Sequence, residues 1–223
     1  MKRKITTIAL LIITTVCVQA QTILSESFSS FTPPLGWTET SVSPGDQWAF
    51  GGSLDFGPTA LIDDPLGNSG EYTRVDMSTD PDTTALITPV VNITGIQNPE
   101  FSFYYISQFD ETNFTAFTPF NRLIVDYWNG ASWSNIIIID TLTTSGWVKY
   151  TFDASGFTFG GNGDIQIQFA AQEGGAAIGG TGTATFNQDM TFDEVFITLL
   201  VYLRMYLQLR MAAILRLLLI LQY

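Results

Sequence analysis

Residues 163–198, GDIQIQFAAQEGGAAIGGTGTATFNQDMTFDEVFIT, decide the fold. In their first half Ile165, Ile167 and Phe169 alternate with Gln166 and Gln168. That period of two puts the apolar three on one face of a sheet and the amides on the other. The second half is an apolar ladder of Met190, Phe192, Val195, Phe196 and Ile197, interrupted by Asp193 and Glu194. A carboxylate in such a ladder must find a partner or leave the core, and a metal ion is one such partner. The glycine-rich joint between the halves, 174–182, lacks both the Lys-Ser or Lys-Thr pair and the strand-to-helix setting of a phosphate-binding loop, so it reads as a flexible connection.

The same alternation recurs upstream. Phe101, Phe103 and Tyr105 share one face of a run, as do Leu123, Val125 and Tyr127 of the next, and Val148, Tyr150 and Phe152 of another. Four consecutive isoleucines, Ile136 to Ile139, call for cover on both faces. Pro33 to Trp37, PPLGW, is a turn; Asn129 to Ser132, NGAS, is a hairpin turn between Trp128 and Trp133; Pro89 marks a strand edge or bulge. Short β-rich runs between Gly, Pro, Asn and Asp clusters, with helical periodicity nearly absent from 21 to 198, predict an all-β fold: two packed antiparallel sheets in a jelly-roll sandwich.

The two ends have a different character. Residues 1–20, MKRKITTIALLIITTVCVQA, place Lys2, Arg3 and Lys4 before a short apolar run and a small-residue site ending at Ala20, the pattern of a secretory signal peptide. The single cysteine, Cys17, leaves with it, and there is no histidine anywhere. Disulfides, Cys or Ser–His nucleophile pairs and His or Cys zinc sites are thereby excluded from the mature chain. Residues 199–223 lack acids, glycine and proline and carry Arg204, Arg210 and Arg216 six apart, on three sides of a helix. Two readings of this tail stay open: a C-terminal membrane anchor, or a stretch translated in the wrong frame. A membrane is a partner only if the tail is genuine.

All 21 acidic residues lie between Glu26 and Glu194, against Arg74, Arg122 and Lys149, a formal charge of −18 for that segment. Nucleic acid is an unsuitable partner for such a surface. Calcium, a hard cation that takes carboxylate oxygens, suits it, and so does simple solubility.

ESF at Glu26 to Phe28, PPLGW, GNSGEYTRVDM, ALITPVV, FSFYY, YWNGASW, GWVKY, DIQIQF and FDEV follow one another as in MAM-like, or cleaved-adhesin, domains of secreted Bacteroidota proteins, the choice-of-anchor J type, which this chain resembles from Glu26 to Ile197. The resemblance implies a concanavalin A-like jelly roll used outside the cell for adhesion or ligand binding, and a structural calcium site near the start and end of the domain. Carried over position by position, Glu26 and Asp193 match the ligands, with Asp64 of DDPLG and Asp76 of VDM as further candidates. The chain departs from the pattern in the order Asp193 then Glu194 and in a shortened acidic loop around Asp46.

Three functions are weighed on these residues. A glycosidase needs two facing acids, and a regular strand sends the adjacent Asp193 and Glu194 to opposite faces, so a non-enzyme is expected. A binding module for an extracellular glycan or protein would use Trp128 and Trp133 as a stacking platform, the bland alternative being that both cap the core. The remaining readings are a structural spacer and the accessory carbohydrate-binding domain of a truncated hydrolase. The expected location is secreted or at the cell surface.

Overall fold

The computed structural model describes residues 22–41, 47–51, 55–56, 60–61, 65–66, 71–76, 83–109, 120–143, 146–175 and 188–199. The ends of the chain, 1–21 and 200–223, which include the signal-peptide-like start and nearly all of the apolar tail, lie outside them, as do the connections at 110–119 and 176–187. Along the chain run β1 (Thr22–Glu26), β2 (Thr38–Ser41), β3 (Trp48–Phe50), β4 (Asp55–Phe56), β5 (Ala60–Leu61), β6 (Thr73–Asp76), β7 (Thr83–Ile87) and β8 (Val91–Asn92). There follow β9 (Pro99–Phe109), β10 (Arg122–Trp128), β11 (Trp133–Ile139), β12 (Val148–Asp153), β13 (Asp164–Ile165), β14 (Ile167–Gln172) and β15 (Gln188–Leu199).

Two antiparallel sheets form. The first has the order β12-β9-β15-β6-β3 with β1 also on β15, the second β11-β10-β14-β7-β2. β2 and β3, β6 and β7, β9 and β10, β11 and β12, and β14 and β15 each lie in different sheets. The chain therefore passes from sheet to sheet along its length, and the fold is the expected antiparallel β-sandwich. Among the described residues no helix is long and apolar enough to cross a membrane.

Alternation sets what each sheet buries. Phe101, Phe103 and Tyr105 of β9, Met190 and Phe192 of β15, Leu123 and Val125 of β10, and Ile167 and Phe169 of β14 all enter the core. Phe169 and Phe192 join the sheets at their centre, rings stacked with centroids 4.0 Å apart. Each such ring removed from water contributes about 1.5–3 kcal/mol, and the paired geometry adds about 0.5–1.5 kcal/mol. Trp48 and Phe50, which share a face of β3, are core residues too, Trp48 edge-on to Phe192 at 5.1 Å.

The turns behave as their residues dictate. In PPLGW the Trp37 N–H donates to the Pro34 carbonyl at 3.0 Å and Gly36 takes φ 83°, the positive value that a type II turn needs at its third position. Pro89 follows β7 outside any strand, where its missing N–H breaks no ladder bond. The isoleucine run is not covered on both faces as expected. β11 lies at the edge of its sheet and slips register against β10 between Val125 and Asp126, leaving Ile138 45% exposed while Ile139 is buried.

Candidate functional site

Two places gather residues singled out from the sequence. The first is on β15. Its Asp189 to Phe192 pair with β6, and its Val195 to Thr198 pair with β1 on the same side, so β6 and β1 meet β15 end to end with Asp193 and Glu194 between them. On its other side β15 pairs with β9 throughout, but the register slips between Asp193 and Phe196. This is a bulge, with Glu194 at φ 51°. A regular strand would turn the two adjacent acids to opposite faces. Both are buried here, Asp193 at 0% exposure and Glu194 at 4%, as are Thr191 and Phe192 on the two faces of the strand before them.

β1 brings Glu26 opposite Val195, two residues from Asp193. Glu26 is half-buried and its Oε1 accepts the Phe28 N–H at 2.8 Å. Burial pushes the pKa of its carboxyl up from the ordinary value, and the N–H groups of Phe28 and Ser27 pull the other way. Phe28 itself stands at φ 49°, a conformation costly for a bulky side chain. Its ring is held by the core, edge-on to Trp37 at 5.2 Å and to Phe192 at 5.4 Å, and this packing fixes the strained backbone. Two of the three non-glycine residues with positive φ among those described thus flank one junction.

The other two candidate ligands are not brought to this junction. Asp76 ends β6 opposite Asp189, four residues along β15 from Asp193, about 13 Å at strand spacing. Asp64 lies outside the described residues. Among the described residues no group of three or more acid, His or Cys side chains is arranged to hold a metal ion. Glu26 and Asp193 stand on adjacent strands here, the first opposite Val195 of the core and the second opposite Tyr104 on the sheet's other face, so a calcium ion would draw most of its six to eight oxygens from backbone or water.

The second place is the β10–β11 hairpin. Trp128 and Trp133 are direct cross-strand partners, both half-buried, with ring centroids 5.4 Å apart at 66°. The turn between them is locked by Asn129: its Oδ1 accepts the N–H groups of Ala131 at 3.0 Å and Ser132 at 2.9 Å, and its Nδ2 donates to Ser134 Oγ at 2.6 Å. Gly130 takes φ 94°. Below the pair, Tyr127 stacks on Phe157 at 4.9 Å, anchoring the strand end to the neighbouring loop.

Beside this hairpin is a polar ladder that belongs to none of the sequence motifs. Asp126, Gln168 and Asn135 adjoin one another on β10, β14 and β11. Asn135 Nδ2 donates to Asp126 Oδ1 at 3.0 Å, and Gln168 Nε2 lies 3.5 Å from Asp126 Oδ2. Two signals for it were in the sequence: amides alternating at 166 and 168, and an aspartate alternating with Val125 and Tyr127.

No family model and no curated protein matches the sequence. Among solved structures the β-sandwich fold recurs. In particular, the K1 cleaved adhesin domain of Lys-gingipain from Porphyromonas gingivalis W83 superposes with a TM-score of 0.52 at 17% identity, over 81% of this chain and 98% of that one. The K3 cleaved adhesin domain of the same protein gives a TM-score of 0.49 at 15% identity over 79% and 98%. TmCBM61, solved with β-1,4-galactotriose, gives 0.48 at 9% identity over 79% and 97%. The cleaved-adhesin likeness implied by the sequence motifs is thus found in the fold.

Proposed function

We propose that this chain is a secreted or cell-surface, non-catalytic module that binds an extracellular glycan, with the aromatic hairpin as its contact surface. The observation that carries the reading is the Trp128–Trp133 pair: two half-buried indoles held edge-to-face on a turn whose side-chain hydrogen bonds fix it before any ligand arrives. Rigid aromatic surface binds a sugar ring's apolar face at little cost in ordering. Catalysis by the adjacent acids has no support in their placement, because carboxylates as deeply buried as Asp193 and Glu194 do not reach a glycosidic bond.

A glycan array probed with the purified protein tests this. Binding to a subset of glycans that disappears in both Trp128→Ala and Trp133→Ala, with unchanged melting temperatures, is expected. An empty array together with capture of a matrix protein would move the ligand to the protein class, and an array and matrix panel both empty would leave a structural spacer.

Calcium stabilisation is a separate part of the proposal. It rests on Glu26 and Asp193 sitting on neighbouring strands beside two strained backbone positions, in a domain with a large excess of carboxylates. The ion would act as a structural tie between the first and last strands and take no part in ligand chemistry.

A further inference from the structure

We propose that the ladder Asn135–Asp126–Gln168 extends the aromatic hairpin into a binding track for a neutral, hydroxyl-rich oligosaccharide, one that excludes uronate or sulfated chains; this rests on the glycan reading above. The ladder occupies the outer face of the second sheet, since Val125 and Phe169, the alternating neighbours of Asp126 and Gln168, point into the core. Trp128 follows Asp126 on the same face of β10, about 7 Å further along the strand. A ligand resting on the indoles therefore passes over the carboxylate.

The direction of the ladder's own hydrogen bonds selects the ligand. Asn135 spends its Nδ2 on Asp126 Oδ1 at 3.0 Å and on the Ile137 carbonyl at 3.3 Å. Gln168 turns its Nε2 to Asp126 Oδ2, and Gln166, one residue pair further on, gives its Nε2 to the Thr88 carbonyl at 3.1 Å. Both Asn135 donors are thus engaged by the protein, while Gln168 and Gln166 each commit one N–H and keep one. What remains for a ligand is mostly acceptors, the amide oxygens of Asn135, Gln168 and Gln166 and the spare lone pairs of Asp126, with one N–H on each glutamine beside them. A surface of acceptors asks for a ligand rich in donors. Sugar hydroxyls supply them, whereas carboxylate and sulfate groups bring only further acceptors and a negative charge toward Asp126 and a strongly acidic domain. Since Asp126 is already held by two amides, it is pre-ordered for a pair of neighbouring hydroxyls.

A cation does occur on this face. Arg122 lies two rungs from Asp126 on β10, about 13 Å away, with its Nε donating to Gln172 Oε1 at 2.7 Å. It gives the opposing hypothesis a definite form: an acidic chain held at Arg122.

Calorimetric titration of the purified protein with neutral xylo-, cello- and galacto-oligosaccharides and with oligogalacturonate decides. At least one neutral series is expected to bind and oligogalacturonate not to. Asp126→Asn is expected to weaken neutral binding about tenfold, through loss of charge-assisted hydrogen bonds, and Gln168→Ala about threefold, both with unchanged melting temperatures. If Asp126→Asn shifts the melting temperature, Gln168→Ala carries the test, its amide being only loosely held. Neutral binding that survives both ladder variants but is lost in Trp128→Ala overturns the track and leaves the hairpin's function standing. Oligogalacturonate binding as tight as the neutral chains, and abolished by Arg122→Ala, overturns it in favour of the acidic ligand. No binding of any glycan by the unaltered protein removes the reading on which the track rests.

Discussion

Glu26 shows how one side chain reports on its surroundings. Burial outweighs its two backbone N–H partners, so the folded protein keeps a proton on Glu26 at a pH where the unfolded chain has lost it. In the window just above the ordinary value of 4.5 the native state binds more protons than the unfolded one, and its stability falls as pH rises. In a chelator, Glu26→Gln should flatten this slope and raise the melting temperature at pH 7. With calcium the order should reverse, because the ion needs the carboxylate. Melting temperatures that respond neither to calcium nor to the substitution would contradict the ion. Phe28 is the second residue on which the junction depends. Removing its ring from between Trp37, Phe50 and Phe192 leaves a cavity, and Phe28→Ala should cost about 3–5 kcal/mol in denaturant unfolding; a loss under 1 kcal/mol would mean the core closes over the gap.

At the level of elements, the hairpin is rigid because of Asn129. Asn129→Ala removes acceptors for two turn N–H groups and a donor to Ser134, and should cost about 1 kcal/mol of stability. It should also weaken glycan binding severalfold, since the indoles lose their fixed geometry; hydrogen exchange at Ala131 and Ser132 would rise in parallel. Which elements were legible follows from the reach of the signal. Strict alternation in 101–105, 123–127 and 165–169 predicted faces correctly, because the period of two is a local property of a strand. The bulge at Glu194 was not legible: no glycine marks it, and it is imposed by β9 and by the meeting of β6 with β1, all distant in sequence. The exposed Ile138 was missed for the same reason, since nothing within the isoleucine run says that β11 is an edge.

For the whole molecule, the proposed function divides the labour between two sheets of one sandwich. The first sheet carries buried acids at a junction of first and last strands, where the proposed ion would act on stability. The second presents aromatic and polar groups on its outer side, where the proposed recognition would take place. The metal and ligand candidates were read from motif order and from paired tryptophans; the ladder beside the hairpin was not, because it joins residues from three strands that only the fold brings together. The most direct test of the binding role is intrinsic tryptophan fluorescence. Of the five tryptophans, Trp37 and Trp48 are buried in the core and Trp147 is half-buried, edge-on to Tyr72, so a glycan resting on the hairpin should change the emission of Trp128 and Trp133 and leave the other three as they are. Titration with a bound neutral oligosaccharide should give a saturable spectral change in the unaltered protein and none in the Trp128→Phe, Trp133→Phe double variant. A change that persists in the double variant, with undiminished affinity, would place the ligand elsewhere and contradict the account.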